Sequence, residues 1–377
     1  MKKHYRFSAP GRTEISGNHT DHQHGCVLAG AVNLETVADV MPNGTNTIRV
    51  SSEGYPMVSV DLNDLYPRKE EVNTTAALVR GVAAAFEKRG AKLKGFDAVV
   101  HSTVLPGSGL SSSAAFEVLF GTIFNELFFQ SKMSAIEIAQ IGQYAENIYF
   151  GKPSGLMDQM ASSVGGMVFI DFEDPKNPIV EKLDYDFAAS DHALCIIDSG
   201  ADHADLTDEY AAVTRELKDV CAFFGKSVLR EISMDTFFAH IPQLRGRVPD
   251  RAILRAIHFY QENVRVRAQA YALKQNDFDT FLQLTNESGR SSWMYLQNIT
   301  PVGYVEHQEV ALALAMCDQL LQGRGAFRVH GGGFAGTVQA FVPMELLEDF
   351  KSKIEAVLGE GSCHVLQIRA EGGIAIH

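Results

Sequence analysis

Two glycines and four serines, three of them successive, punctuate an otherwise apolar run between Leu105 and Glu117. Glycine lacks the side chain that keeps a backbone from turning tightly, and the alanines and apolar residues that follow the serines read as the start of a helix. The first turn of a helix has N–H groups with no partner inside it, together with the positive end of the helix dipole. A loop of this kind feeding a helix is an anion cradle suited to a polyphosphate. Its candidate cofactor-binding residues are Pro106, Gly107, Ser108, Gly109, Leu110, Ser111, Ser112, Ser113 and Ala114. The serine hydroxyls add donors or a ligand for magnesium. The lysine that the G-x-x-x-x-G-K-[ST] phosphate loop needs is absent, and a loop without any ligand would have the same Gly/Ser content.

The chain is 377 residues long, enough for two domains that share a cleft. A formal net charge of −13 argues against a general nucleic-acid binder, which needs clustered Lys and Arg. Acidity does not exclude ATP, for which a local cradle suffices. The five cysteines, Cys26, Cys195, Cys221, Cys317 and Cys363, form no C-x-x-C pair; they read as reduced, mostly buried thiols and as neither a disulfide framework nor a zinc site. No apolar run reaches the ~20 residues of a membrane span, and no secretory signal follows the charged start. The expectation is a cytoplasmic protein without a membrane or nucleic-acid partner; no protein partner is inferable.

In chain order, residues 5–8 are strand-like and run into a turn at 9–12 that delivers Arg12. The following 13–25 is a polar loop between apolar runs, with His19, Asp21, His22 and His24 within six residues. A zinc site draws its ligands from separated segments, so this loop reads as a hydrogen-bonding surface for a polyol, with Asn18, His19 and Asp21 as candidates. Residues 32–60 read as hairpin strands around Asn43-Gly44, 76–89 as a helix and 95–103 as a strand. Residues 112–128 form an apolar helix in which Glu117 either favours the helix dipole or joins Ser112 or Ser113 on magnesium. After a helix at 134–149, Asp158 stands where a helix cap would. Residues 161–171 return to a strand, and 175–178 read as the seam between domains. A buried strand is expected at 193–198, helices from 207 and over 253–273 and 278–292, and three glycines, 331–333, between a helix and a strand at 338–342.

The order Pro-x-Gly-x-Gly-Leu-Ser-Ser-Ser-Ala from Pro106 resembles the nucleotide loop of the GHMP small-molecule kinases. Gly11-Arg12 followed by Gly17-Asn18-His19-Thr20-Asp21 is similar to the galactokinase signature within that family, and Gly155-Leu156-Met157-Asp158-Gln159 is similar to its Gly-Ile-Met-Asp-Gln stretch. The sequence departs from the pattern at Asn18, where the family has Glu, and at His22, Gln23 and His24. It departs again at Thr75 and Leu78, where the family has aromatic residues, and at Asp202, where it has a cation. The resemblance implies an α+β, two-domain GHMP kinase fold with the active site in the cleft between domains, 1–175 carrying the sugar and ATP loops and 176–377 forming the C-terminal domain. It implies ATP and Mg2+ as cofactors, Asp158 as the catalytic carboxylate, Arg12 beside the transferred phosphoryl group, sugar contacts from Asn18, His19, Asp21 and Tyr210, and metal contacts from Ser112, Ser113 and Glu117. The implied reaction is phosphorylation of galactose at its anomeric hydroxyl. A kinase for a related sugar such as galacturonate, and a non-catalytic sugar/ATP sensor, are the alternatives.

Overall fold

The computed structural model describes residues 4–104, 109–152, 154–201, 206–334 and 336–376. The chain forms two compact units interleaved in sequence. The first comprises Met1–Arg12, Gly30–Gly166 and Ile368–His377, and the second Thr13–Ala29 and Met167–Gln367. These are not the contiguous 1–175 and 176–377 expected. Strands β1 (Tyr5–Ser16) and β2 (Cys26–Pro42) are long enough to run from one unit into the other, and the C-terminal strand Ile374–Ile376 returns to pair with β1.

In the first unit β1, β2, β3 (Thr47–Ser52), β4 (Val58–Asp61) and β5 (Phe96–Ser102) form a sheet in the order C-terminal strand, β1, β2, β5, β3, β4. Asn43-Gly44 therefore does not close a hairpin: β5 lies between β2 and β3, antiparallel to the first and parallel to the second. α1 (Thr75–Lys88) and α2 (Ser112–Phe128) pack against the sheet, and α3 (Ala135–Tyr144) and α4 (Met157–Val164) pack on these helices. Thr74 caps α1 by accepting from Ala77 N–H, and Ser134 with Glu137 forms a capping box at α3. Phe86, Phe96, Phe120 and Phe124 are fully buried between helices and sheet, each worth about 1.5–3 kcal/mol of burial. The helix expected over 134–149 ends its regular part at Tyr144 and continues as a π-helical turn, Ala145–Phe150. That turn lies so close to α1 that a Cβ on Gly81 would stand 2.8 Å from that of Ala145.

In the second unit β6 (Met167–Asp171) and β7 (Ile179–Leu183) form an antiparallel pair, so residues 175–178 belong to its turn and not to a domain seam. A second sheet has the order β11, β8, β10, β9, from β8 (His192–Asp198), β9 (Ala326–His330), β10 (Thr337–Pro343) and β11 (Cys363–Leu366). The helices are α5 (Thr207–Phe223), the short α6 (Met234–Ala239) and α7 (Ile241–Leu244), α8 (Asp250–Lys274), α9 (Phe278–Ser291), α10 (Glu309–Leu321) and α11 (Leu347–Leu358). Apolar side chains of α10 and α11 cover the second sheet, while α5 and α8 share a separate core around Phe237 and Phe259. The glycines at 331–333 follow β9, a strand and not the helix expected there. No helix among the described residues is long and apolar enough to cross a membrane.

Candidate active site

In the first unit, three separate segments converge on Asp158. It stands in the first turn of α4, where a negative charge is favoured. Arg12, buried to 8% exposure, donates from Nε to Asp158 Oδ1 at 2.7 Å and from Nη1 to the Gly109 carbonyl. Ser111 Oγ donates to the other carboxylate oxygen at 2.8 Å. The Arg12 backbone N–H bonds to the Leu110 carbonyl at 3.0 Å, which fixes the end of the serine loop against β1. Burial works against ionisation of Asp158, but the charge and hydrogen bond of Arg12, with the Ser111 hydroxyl, outweigh it and hold the carboxyl below its usual range.

Ser111 adopts a left-handed φ of 56° and ends the loop; α2 begins at Ser112. Ser112 and Ser113 line a cavity of about 520 Å³, with Thr75 and Leu78 on its wall. Ala114 is fully buried and contributes its backbone alone to the helix start. Gly109, Leu110 and Ser111, expected on the nucleotide, thus hold Arg12 and Asp158 in place. Pro106, Gly107 and Ser108 lie outside the described residues, as does Asp202.

Sequence reasoning missed Glu146. Its carboxylate accepts from Ser113 Oγ (3.2 Å) and Lys152 Nζ (3.2 Å) on one oxygen and from Ser154 Oγ (2.6 Å) and Gln159 Nε2 (2.8 Å) on the other. Its one signal in the sequence is an acidic residue shortly ahead of Gly151-Lys152. Glu117 lies deeper, with no exposed surface. Gln159 Nε2 donates to it at 2.9 Å, and its second oxygen has no partner among the described residues. Burial first, then the neighbouring Glu146 charge, push the Glu117 carboxyl well above the usual range. Of the expected magnesium group, Ser113 therefore stands beside Glu146, while Glu117 is closed off behind. Among the described residues no three His, Cys, Asp or Glu side chains are grouped to hold a metal by themselves.

In the second unit the polar loop is mounted on α8. His258 Nε2 bonds the Asn18 carbonyl (3.0 Å), Glu262 accepts from Ser16 Oγ and Gly17 N–H (both 3.1 Å), and Asn263 accepts from Cys26 N–H (2.7 Å). Asn18 has no exposed surface. Its Nδ2 donates to Glu14 Oε1 and to the Gly331 carbonyl, and its Oδ1 accepts from Asn298 at 2.7 Å and Ser292 at 3.4 Å. The amide expected to face a sugar is thereby committed inside the unit. Glu14 is held in turn by the fully buried Arg328 at 2.8 Å.

His19 remains partly open. Its Nε2 lies 2.9 Å from the Gly332 carbonyl, so that nitrogen carries the proton and Nδ1 is left as an acceptor. Burial is the main cause that lowers its pKa to about 4, opposed by the Gly332 bond and assisted by His22. Asp21 uses Oδ1 for the His22 N–H at 2.9 Å. Tyr210 Oη donates to the Gly333 carbonyl at 2.9 Å, and its ring meets Phe334 edge-on. The three consecutive glycine carbonyls thus accept from Asn18, His19 and Tyr210 in turn. Gly333 is required there: its φ is +81°, and a Cβ would stand 2.1 Å from the Asn298 carbonyl oxygen.

The family model described as GHMP kinases N terminal domain matches residues 77–166, which contain the serine loop, Glu146 and Asp158. The model described as galactokinase galactose-binding signature matches residues 2–42, which contain Arg12 and the loop with Asn18, His19 and Asp21. The chain has the GHMP kinase fold and carries the galactokinase galactose-binding signature. Its fold is similar to that of Lactococcus lactis galactokinase complexed with galactose (TM-score 0.81, 24% identity, 99% of this chain and 95% of that one). It is similar as well to the Lin0012 protein from Listeria innocua (TM-score 0.72, 15% identity, 100% of both chains). Methanococcus jannaschii mevalonate kinase shares the fold too (TM-score 0.69, 13% identity, 97% and 98% covered).

Proposed function

We propose that the chain is a galactokinase, transferring the γ-phosphoryl group of ATP to the anomeric hydroxyl of galactose to give galactose 1-phosphate and ADP. The galactokinase signature supports the sugar; the observation that carries the chemistry is Asp158 clamped between Arg12 and Ser111 at the entrance to α2. Phosphoryl transfer depends mainly on placing the acceptor in line and neutralising charge on the group in flight. Asp158 orients the anomeric hydroxyl and takes its proton as the oxygen–phosphorus bond forms and the bond from the γ-phosphorus to the β,γ-bridging oxygen breaks. Because Arg12 keeps Asp158 ionised, the carboxylate is a weak base and its positioning of the hydroxyl matters as much as proton removal. Arg12 itself faces the charge that develops on the phosphoryl oxygens. The free N–H groups of the α2 first turn hold the polyphosphate, while His19 Nδ1, Asp21 and Tyr210 hold the sugar hydroxyls.

Magnesium takes hydroxyl and carboxylate oxygens together with phosphate and water, and the Ser113–Glu146 pair is the donor set that fits it. Bound there, it would supply charge neutralisation at the phosphates. Five unpaired, buried cysteines support a reducing, cytoplasmic setting. The test is ADP release with ATP and magnesium over galactose, galacturonate, N-acetylgalactosamine, arabinose and glucose. Selective galactose turnover is expected; ATP and sugar binding without turnover would make the chain a sensor and overturn the reading.

A further inference from the structure

A cavity of about 430 Å³ lies in the second unit, bounded by α9, α10 and the chain that leads into β9. Its apolar surface comes from Leu314 and Leu321 of α10 and from Phe327 of β9. The frame around it is fixed. Asn286 of α9 donates from Nδ2 to the Gly325 carbonyl (3.0 Å) and accepts at Oδ1 from the Phe327 N–H (3.1 Å), so α9 is bonded to β9 along one edge. A Cβ on Gly289 would stand 2.8 Å from the Phe327 carbonyl oxygen, so helix and strand meet there with no room for a side chain. A preformed, mainly apolar cavity of this size with a few polar groups on its wall has the form of a small-molecule site.

Three polar groups on that wall have no hydrogen-bond or ion-pair partner among the described residues: the Arg290 guanidinium, the Trp293 indole N–H and the Asp318 carboxylate. Arg290 belongs to the last turn of α9 and Trp293 to the π-helical turn Ser292–Leu296 that continues it, while Asp318 comes from α10. Trp293 is 47% exposed and meets no other ring among the described residues. A guanidinium beside an indole N–H presents donors for a carboxylate. The uncovered indole ring suits a flat apolar body, and Asp318 accepts from an amine or hydroxyl on that body.

The segment that carries Arg290 and Trp293 also mounts the sugar loop. Ser288 Oγ donates to Glu262 (2.6 Å), Ser291 Oγ bonds His258 Nδ1 (2.8 Å), and Ser292 Oγ and Asn298 Nδ2 donate to Asn18 Oδ1 (3.4 and 2.7 Å). Glu262 and His258 in turn hold the Gly17 N–H and the Asn18 carbonyl. On the other side of the cavity β9 runs into Gly331, Gly332 and Gly333, whose carbonyls meet Asn18, His19 and Tyr210. We propose that this cavity is an effector site for a small, flat carboxylate bearing an amine or hydroxyl, and that its occupancy shifts galactose affinity through α9, the π-helical turn and β9. The site stands on the geometry of the second unit; its effect on galactose rests on the galactokinase reading above.

Trp293 is the only tryptophan in the chain, so its emission reports on this cavity. The experiment titrates the full chain with anthranilate, a flat aminobenzoate that accepts energy from tryptophan, and with its neutral analogue anthranilamide, for the wild type, Arg290→Leu and Asp318→Leu. Galactose affinity is measured by calorimetry with and without anthranilate. Anthranilate should quench Trp293 saturably and bind roughly tenfold tighter than anthranilamide, the difference made by a charge-assisted hydrogen bond. Arg290→Leu abolishes that preference, and Asp318→Leu weakens both probes roughly fivefold through the loss of an acceptor. In the wild type anthranilate shifts galactose affinity by about twofold or more, and galactose shifts anthranilate affinity by the same factor, as reciprocity requires. Arg290→Leu binds galactose as the wild type does without anthranilate and does not respond to the probe. No saturable quenching, or a preference for anthranilate that survives Arg290→Leu, overturns the proposal. Anthranilate binding with galactose affinity unchanged overturns it as well and leaves the galactokinase reading standing. A chain that holds anthranilate through Arg290 but binds no galactose overturns both that reading and the effector role.

Discussion

Replacing Arg12 by Gln removes the charge that keeps Asp158 ionised while leaving a polar side chain of similar reach. Arg12 is the donor to Asp158 Oδ1 and to the Gly109 carbonyl, and after its loss Ser111 is the donor that remains to the carboxylate among the described residues. A hydrogen bond to a charged group is worth about 1.5–3 kcal/mol. Asp158 keeps 27% side-chain exposure, so water restores part of this, and the net destabilisation expected at pH 7 is about 1–3 kcal/mol. The sign with pH follows from the depressed native pKa. The stability contributed by ionised Asp158 is present above its unfolded value of 3.8 and lost as pH falls through the lower native value. In Arg12→Gln burial acts against weaker opposition, so Asp158 takes up its proton at higher pH. The acid limb of kcat therefore moves upward, and kcat itself falls by about 10²–10³ with the loss of a charge donor at the phosphoryl group. Thermal denaturation and kcat from pH 4 to 8 measure both effects. An unshifted acid limb with wild-type turnover would refute the argument.

Glu117→Gln mimics the neutral carboxyl that burial favours, so it should leave magnesium-dependent turnover within a few-fold of the wild type, whereas Glu146→Gln should raise the magnesium requirement at least tenfold in a metal titration. Because the native pKa of Glu117 is raised, the wild type is favoured at low pH and loses stability as pH rises through that value; Glu117→Gln should show a flatter melting profile between pH 5 and 9. Asn298→Ala removes the donor to Asn18 Oδ1 and should cost about 1–3 kcal/mol in denaturant titration, with the KM for galactose raised and that for ATP unchanged. His19, with a pKa near 4, should remain neutral throughout the working range, and an NMR titration of its ring should show no protonation above pH 5.

Local pattern made the helices readable: the expected 112–128 coincides with α2, and 278–292 ends within a residue of α9, because capping and apolar spacing act over a few residues. The Arg12–Asp158 pair was legible as well, through motifs at both ends of a contact spanning 146 positions. What local pattern does not contain is partner choice between distant strands. Asn43-Gly44 is a good turn sequence, yet β5 pairs with both strands it separates. Residues 175–178 have the composition of a linker and form the β6–β7 turn. The same holds for side-chain direction. Asn18 reads as a polar loop residue facing a ligand, but Glu14, Asn298 and Gly331 offer its amide a complete set of partners within the unit. Glu146 has no motif of its own and becomes visible once the π-helical turn sets it beside Ser113.

The most direct test of the account is galactose 1-phosphate formation by the wild type and by Asp158→Asn, with ATP and galactose binding to each followed by calorimetry. Asp158→Asn keeps the size of the side chain and one acceptor for Ser111, so both ligands should bind within a few-fold of the wild type while kcat falls by at least about 10². Wild-type turnover in Asp158→Asn would contradict the assignment of this carboxylate as the group that orients and deprotonates the sugar hydroxyl.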